Sequence, residues 1–465
     1  MPNVPQPGTR AILKIAVATF ALSLVPALWA QQTPSSSPLT LQQALRIGLE
    51  KNPERKLALA DTKAASADVR QAKSFLFPRA DFSETTMSGN DPVYVFGSKL
   101  RQQRFSSADF DLNVLNTPTP YANFSSRFGG TWTLFDSTAS WHRIAAAERM
   151  REAASNQLER TDQEIVFRVI DAYYRVLLAQ KQLDVSEHAV QTAEAVFTQT
   201  KNRFESGVVV ESDFLAAQVR LSSRKQELIL ATNALRLSQA QLNVSLGLPI
   251  ATEFALTDSL TERNLPPVSL EDAEKRAVDL RPDLKRVRSA EMAQQQNVAV
   301  AKAAYGPRVN GFASWEADNP TFASGGGGNN WLAGVQIQVD LFRGGAKRAQ
   351  LAHEKAVQEK VAAAKEIATD AVRLEVRRAY YDLDAARQQL QVTRDSIAQS
   401  QESLRINQNR YDSGLSTITD LLASEETARS TQADYWDALY RYYTSYANFE
   451  LAAGTLHPQS AVVTP

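Results

Sequence analysis

The sequence predicts a mainly α-helical fold with a membrane β-barrel part, in which a unit of two helices, two strands and a long helical hairpin occurs twice. Three observations lead to this prediction. The two halves of the chain resemble each other, long stretches without proline or glycine repeat apolar residues every seven positions, and short segments between them alternate apolar and polar residues.

The chain begins with the features of a secretory signal peptide, which we assign to residues 1–30. Arg10 and Lys14 supply a basic start, an apolar stretch follows, and Ala30 ends the segment with a small residue. An uncleaved anchor helix is the alternative, but the stretch contains Pro26 and is shorter than the roughly 20 apolar residues that a membrane span needs. We therefore expect an exported protein.

The overall composition narrows the functional classes. The 465 residues include 51 acidic and 51 basic side chains, a balance that disfavours a nucleic-acid partner. The chain has no cysteine, so a disulfide framework, a thiolate metal site and an acylated cysteine anchor are excluded. Beyond the predicted signal peptide no long uncharged apolar run occurs, and we expect no transmembrane helix there.

No site for catalysis, for a metal or for a cofactor is predicted. The glycine-rich segment 325–328 lacks the lysine that a phosphate-binding loop requires, and no nucleophile motif occurs. Four histidines are scattered without the spacing of metal ligands, namely His142, His188, His353 and His457. An enzyme is therefore the less favoured class.

The internal duplication defines the domain organisation. Landmarks recur in the same order in both halves, with Pro78 and Asp213 corresponding to Pro307 and Asp420. We assign a linker at 31–38, a first repeat at 39–250, a second linker at 251–267, a second repeat at 268–455 and a tail at 456–465. Within the repeats we assign strand hairpins to 78–135 and 307–342 and helical hairpins to 138–246 and 345–453.

The helical hairpins carry a seven-residue seam. The stretch 138–204 contains neither proline nor glycine, which predicts one helix of roughly 100 Å at about 1.5 Å per residue. Large apolar residues recur every seventh position, and small or polar ones lie between them, as on a coiled-coil face. The large residues of the first seam are Val169, Val176, Leu183, Val190, Phe197 and Phe204, and those of the second are Val376, Leu383, Leu390, Ile397, Leu404 and Tyr411.

The segments before the long helices alternate in polarity. Val335, Ile337, Val339 and Leu341 alternate with polar residues, which favours a strand with one apolar face, in a membrane barrel or at the edge of a soluble sandwich. The isolation of these strands between helices favours the barrel. Four strands cannot close one, so subunits must share it. The connections, 325–328 and a long loop with Pro92, Pro118 and Pro120, are expected to be extracellular.

The duplicated order resembles the TolC-like outer membrane efflux protein family over essentially the whole predicted mature chain. The likeness rests on Pro78 and Pro307 before the first strand of each pair and on Leu134-Phe135 and Leu341-Phe342 at the joints between strand and helix. Above all it rests on the two tips, 203–207 and 410–414. The resemblance implies a homotrimer in outer-membrane lipid, with a twelve-stranded barrel and a twelve-helix periplasmic tunnel. It also implies a passive duct for efflux or type I secretion, whose tips dock a periplasmic adaptor of an inner-membrane pump. The tip residues are Ser206, Gly207, Val208, Ser413, Gly414 and Leu415.

The same resemblance suggests gate residues at the periplasmic end. Asp420 matches an aspartate ring and Tyr411 a gate-contact tyrosine, and Asp213 is the counterpart of Asp420 in the first repeat. Ala423 and Ser416 depart from the family, since some members carry an aspartate and an arginine there. The alternative for both aspartates is stabilisation of the first turn of a helix, where carboxylates are favoured.

One further class competes with the duct. A periplasmic adaptor or a structural coiled-coil protein of the cell envelope would also carry long helical hairpins. Such adaptors generally resemble a single hairpin, whereas this chain has two in tandem with amphipathic strands before each. The outer-membrane duct is the preferred interpretation.

Overall fold

The computed structural model describes residues 38–322 and 328–463. The predicted signal peptide, the linker up to residue 37 and part of the 325–328 segment lie outside the described residues. Among those described, no helix combines the length and apolarity that a bilayer crossing requires.

Each half of the chain contains the predicted order of elements. The first half runs β1 (Pro38–Leu39), α1 (Leu41–Lys51), α2 (Pro53–Ser74), β2 (Arg79–Gly89), α3 (Pro92–Arg101), a 3-10 turn (Ser107–Phe110), α4 (Leu112–Asn116), β3 (Tyr121–Phe135), α5 (Ala139–Glu205) and α6 (Glu211–Leu246). The second runs β4 (Ala255–Leu256), α7 (Leu270–Leu280), α8 (Pro282–Ala303), β5 (Arg308–Asn319), β6 (Gly328–Gln338), α9 (Ala346–Asp412) and α10 (Ile418–Ala452).

Capping residues and prolines in the first turn determine where the short helices begin. Thr40 and Gln43 form a reciprocal capping box at the start of α1. The side chain of Asn52 accepts a hydrogen bond from the Glu54 N–H, and Pro53 occupies the first turn of α2, where its missing N–H costs no hydrogen bond. Pro282 occupies the same place in α8. The Asn52-Pro53 and Arg281-Pro282 pairs therefore mark helix–helix joints.

The two long helices are confirmed. Both α5 and α9 contain 67 residues, which corresponds to roughly 100 Å. In α9 the large seam residues Val376, Leu383 and Leu390 are buried together with the interleaved Ala379 and Ala386. Nearer the tip the seam is only half-buried until Tyr411. The seven-residue pattern thus predicts the packed face correctly.

The two linkers have a structural role that their sequences do not predict. β1 and β4 pair in parallel, joining the start of the first repeat to the segment between the repeats. The hydroxyl of Tyr173 on α5 lies 2.9 Å from the carbonyl oxygen of Leu39 and 2.8 Å from Oδ2 of Asp258. The second linker therefore packs on the main core, in which Leu260 is buried and against which Leu256 is partly buried.

The four long strands form one antiparallel sheet in the order β2-β3-β5-β6. The outer strands β2 and β6 each pair on one side only, so the sheet ends in two free edges within the described residues. Val339 and Leu341, expected in the strand, lie beyond β6, because β6 ends at Gln338 opposite Arg308, the first residue of β5. Gly328, expected in a loop, begins β6.

The long first connection is helical where an open loop was expected. Residues 92–101 form α3, and a 3-10 turn and α4 follow. Asp91 accepts a hydrogen bond from the Tyr94 N–H and caps α3, and Pro92 takes the first helical position. The proline that suggested a loop is thus a helix start.

Candidate functional site

The two helical hairpins end in tips of the same geometry, at the end of the molecule away from the sheet. In the first tip the N–H of Val208 donates to the Arg203 carbonyl at 2.8 Å, and the N–H of Gly207 donates to the Phe204 carbonyl at 2.9 Å. In the second, Leu415 donates to the carbonyl of Arg410 at 2.8 Å. This pattern terminates a helix on a left-handed residue.

Glycine is required at both tips. Gly207 has φ of +73° and Gly414 has φ of +72°, a region that other residues adopt at a cost. The residues that follow, Val208 and Leu415, are each 71% exposed. The docking residues predicted from the sequence therefore form two similar exposed turns, each with an apolar side chain at its apex.

Tyr411 is buried near the second tip. It is 5% exposed and packs with Val196 of α5 and with Ile418 and Leu421 of α10. Its hydroxyl lies 3.5 Å from that of Thr200, at the limit of a hydrogen bond. Tyr411 therefore joins the second hairpin to α5 mainly through apolar packing.

Arg203 reinforces this joint. Its guanidinium lies 5.1 Å from the centre of the Tyr411 ring, within the range of a cation–π contact. The same side chain forms a 3.5 Å ion pair with Asp412, and Gln199 donates to the Asp412 carboxylate at 2.9 Å. The last turns of α5 and α9 are thus fastened to each other within one chain.

Asp420 caps α10. Its Oδ2 accepts from the Thr417 hydroxyl at 2.7 Å, and from the Thr417 N–H and the Ser416 hydroxyl at 3.1 Å each. The hydrogen bonds from Thr417 and then Ser416 lower the pKa of this exposed carboxyl below its usual value of 3.8. Asp420 therefore has the helix-stabilising role considered for it, and Ser416 supports it through its hydroxyl.

Asp213 is not brought to this cluster. It lies half-buried in the first turn of α6, and its carboxylate has no hydrogen bond or ion pair to any other described residue. The first tip is held instead by aromatic packing, since Phe214 lies 5.4 Å from Phe204 and 5.7 Å from Phe197 between ring centres. Asp213 and Tyr411 thus belong to separate clusters within one chain.

A charged layer between α6 and α10 was missed in the sequence. Arg224 is buried and hydrogen-bonds to Glu426, to which Arg220 donates at 2.8 Å. Partial burial opposes ionisation of Glu426, but hydrogen bonds from Arg429 and Arg224 outweigh it and lower its pKa to about 2. Arg224 lies three residues after Leu221 and four before Leu228 on α6, and a charge on the face that these apolar residues share was the available signal.

The sheet has two chemically different faces. One row crosses all four strands in register and consists of aromatic rings, all exposed, namely Phe82, Phe128, Trp315 and Trp331. The neighbouring row on the opposite face is polar and consists of Ser83, Arg127, Glu316 and Asn330. An exposed aromatic band on one face and polar groups on the other are typical of a sheet whose one face contacts lipid and whose other face contacts water.

Within the described residues, no three or more histidine, aspartate or glutamate side chains are grouped so that they could hold a metal ion.

The fold agrees with solved outer-membrane channels. The channel CmeC of Campylobacter jejuni superposes with a TM-score of 0.76 over 96% of this chain and 94% of its own, at 16% identity. A membrane protein from Pseudomonas aeruginosa superposes with a TM-score of 0.78 over 89% of this chain and 93% of its own, at 18% identity.

Sequence comparison identifies the family. Outer membrane protein TolC of Escherichia coli is 23% identical over 88% of this chain and 80% of its own length. The alkaline protease secretion protein AprF of Pseudomonas aeruginosa is 24% identical over 90% of this chain and 85% of its own length. The model of the family described as "Outer membrane efflux protein" matches residues 44–248 and 275–455, most of the sequence, and the chain therefore belongs to this family of outer-membrane channel proteins.

Proposed function

We propose that the protein is the outer-membrane duct of a tripartite efflux or type I secretion system and conducts cargo passively from the periplasmic side to the exterior. One observation carries this proposal: a four-stranded sheet with an exposed aromatic band continues into two helical hairpins roughly 100 Å long. The helices leave one end of the strands, so the connection 90–120 lies at the opposite end, which is the outer end of the proposed duct.

The functional unit is a homotrimer. Four strands are too few to close a barrel, and the free edges of β2 and β6 are available to pair with other copies. Three copies give twelve strands and, from α5, α6, α9 and α10, twelve long helices. The strands contain 11, 15, 12 and 11 residues, enough for a tilted span of the bilayer. In this arrangement the aromatic band faces lipid and the polar row faces the lumen.

The tips dock a periplasmic adaptor that connects the duct to an inner-membrane pump, which supplies the energy. The exposed apolar side chains of Val208 and Leu415 support this assignment, because isolated apolar residues on tight turns are suited to insertion between helices of a partner. A double Val208→Asp, Leu415→Asp variant is expected to reach the outer membrane normally and to lose adaptor binding in a pull-down. Retained binding would contradict the docking assignment.

We also propose a gate at the periplasmic end, where three copies of Asp420 form a ring and bind cations. The exposed carboxylate of Asp420, whose pKa is lowered by hydrogen bonds, supports this ring. Cation block of the reconstituted channel is expected to disappear in Asp420→Ala, and unchanged block would refute the ring.

Cell fractionation tests the proposed function as a whole. A duct is recovered with the outer membrane as an oligomer and forms ion-conducting channels in planar bilayers. A monomer in the periplasm, or a protein that fractionates with the inner membrane, would support the periplasmic adaptor or the structural coiled coil instead.

A further inference from the structure

The connection between β2 and β3, which we call the cap (residues 90–120), is a packed unit. The Phe105 ring lies 4.8 Å from the Phe96 ring and 5.1 Å from the Phe110 ring, both edge-on. Lys99 donates to Asp109 at 2.6 Å, which fixes α3 against the 3-10 turn. The cap therefore has a defined conformation.

The cap lies on the polar face of the sheet. Gln102 at the end of α3 is buried and donates to the side chain of Asn123 at 2.8 Å and to the Ala122 carbonyl at 2.9 Å. Arg101 forms a 3.3 Å ion pair with Glu316 on β5. Asn123 and Glu316 belong to the face that carries Arg127, opposite to the aromatic band.

Contacts also extend across the sheet beneath the cap. Asn123 donates to Asp318 at 2.7 Å, and Asn330 on β6 donates to Asp318 and to the Arg101 carbonyl at 3.3 Å each. The backbone of Gly328 approaches α3 so closely that an added Cβ would lie 1.7 Å from the Arg101 carbonyl oxygen. α3 thus spans from β3 to β6 and is seated on both.

Space remains between the cap and the sheet. A cavity of about 430 Å³ is lined by Gly97 and Ser98 of α3 and by Thr85, Arg127 and Glu316 of the strands. Most of the residues that line it are polar, so water can occupy it. The cap therefore covers the polar face at the outer end of the strands and leaves a solvated gap beneath it.

We infer that the cap is a second constriction of the duct, held inside the lumen at its outer mouth and separate from the periplasmic tips. This inference rests on the proposed function, since the polar face lines a lumen only in the closed barrel. Three caps, one from each copy, project over that lumen and limit the size of molecules that pass. Either the loss of the Gln102 hydrogen bonds or the addition of a side chain at position 328 is expected to displace α3 from the sheet and to widen the outer opening of the lumen.

The absence of cysteine allows a direct test in intact cells. A single reporter, Thr131→Cys, lies on the polar face deeper than Arg127, and Asn116→Cys lies exposed in the cap itself. Each is labelled from outside with a small membrane-impermeant thiol reagent and with a bulky polyethylene-glycol maleimide. The reporters are combined with the native cap, with Gln102→Ala or with Gly328→Val, and outer-membrane assembly of every variant is checked by its SDS-resistant oligomer.

The cap predicts a size-dependent result. The small reagent labels Thr131→Cys in all backgrounds, and the bulky reagent labels it roughly tenfold faster in both cap variants than with the native cap, because the seating hydrogen bonds or the close approach are lost. Asn116→Cys reacts with both reagents throughout. Equal bulky-reagent rates at Thr131→Cys with and without the cap substitutions overturn the inference.

A further reporter separates this failure from failure of the duct. Ala313→Cys lies on the aromatic face and is expected to be protected by lipid. If the small reagent labels it as fast as Thr131→Cys, the barrel itself is refuted. If it stays protected while the cap substitutions have no effect, only the second constriction is refuted.

Discussion

Replacement of Tyr411 by alanine is expected to release the second hairpin tip from α5. The side chain is 5% exposed and packs with Val196, Ile418 and Leu421. Truncation of a buried aromatic ring to alanine costs about 3–5 kcal/mol, and loss of the Arg203 contact adds about 0.5–1 kcal/mol. A local cost of 3 kcal/mol raises the fraction of opened tips roughly hundredfold.

Two control variants identify the cause. Tyr411→Phe retains the ring and removes only a hydroxyl whose partner Thr200 lies 3.5 Å away, so we expect a cost below about 1 kcal/mol. Tyr381→Ala changes the same residue type on the same helix, but Tyr381 is 59% exposed and its replacement is expected to cost within about 0.5 kcal/mol.

Hydrogen–deuterium exchange of the purified protein measures the effect directly. Amides of the last turns of α5 and α9 and of the first turn of α10 are expected to lose protection in Tyr411→Ala and to keep it in both controls. The single-channel conductance of Tyr411→Ala is expected to rise at the same time. Unchanged exchange at the tip, or an equal effect of Tyr411→Phe, would refute the account that apolar packing holds this joint.

Three further predictions follow from single residues. Gly247→Ala is expected to lower the thermal stability more than Gly207→Ala, because both positions have positive φ but only at Gly247 would the new Cβ lie 2.7 Å from the Lys51 carbonyl; equal losses would contradict the close approach. Burial raises the pKa of Glu450 from 4.5 to about 7. The folded state then keeps a proton that the unfolded state loses between these values, and stability falls by about 1.4 kcal/mol per pH unit through this window; urea unfolding of Glu450→Gln at pH 5 and pH 8 should lack this fall. Because hydrogen bonding lowers the pKa of Asp420, cation block of the channel should be as strong at pH 5 as at pH 7, and its loss at pH 5 would contradict an ionised ring.

The features that the sequence predicted best are those with a local period. The α9 seam from Val376 to Leu390 is buried as expected, because a residue's place on a helix face depends only on its spacing from its neighbours. The alternation of Val335 and Ile337 with polar residues in β6 likewise predicts which side chains share a face of the sheet. The cap of α2 is also a local feature, since Asn52 and Pro53 are adjacent in the chain.

The joint at the tip could be predicted only in part. Tyr411 was singled out by its place beside Gly414, but its contacts with Val196, Thr200 and Arg203 connect residues more than 200 positions apart. Periodicity gives no information about which helix faces which. The same limit applies to the pairing of β1 with β4, two strands of two residues each.

The cap was missed for a different reason. Asp91 and Pro92 carry the signal of a helix start, and Lys99 and Arg101 carry that of a helix end, but prolines in a long connection were interpreted as loop markers. The contact of Gln102 with Asn123 depends on how the chain folds around the sheet, which the sequence pattern does not give. This explains why a long loop was expected where the structure has α3, a 3-10 turn and α4.

Pairing between the free sheet edges of different copies is the central claim of this account, and disulfide scanning in the outer membrane tests it most directly. Single cysteines along β2, from Asp81 to Met87, are combined in turn with one at Trp331 on β6 in the cysteine-free chain. The account predicts that oxidation joins these edges between copies and gives covalent dimers and trimers at one register. If oxidation yields only monomers with every cysteine pair, in a protein that has reached the outer membrane, the claim is contradicted.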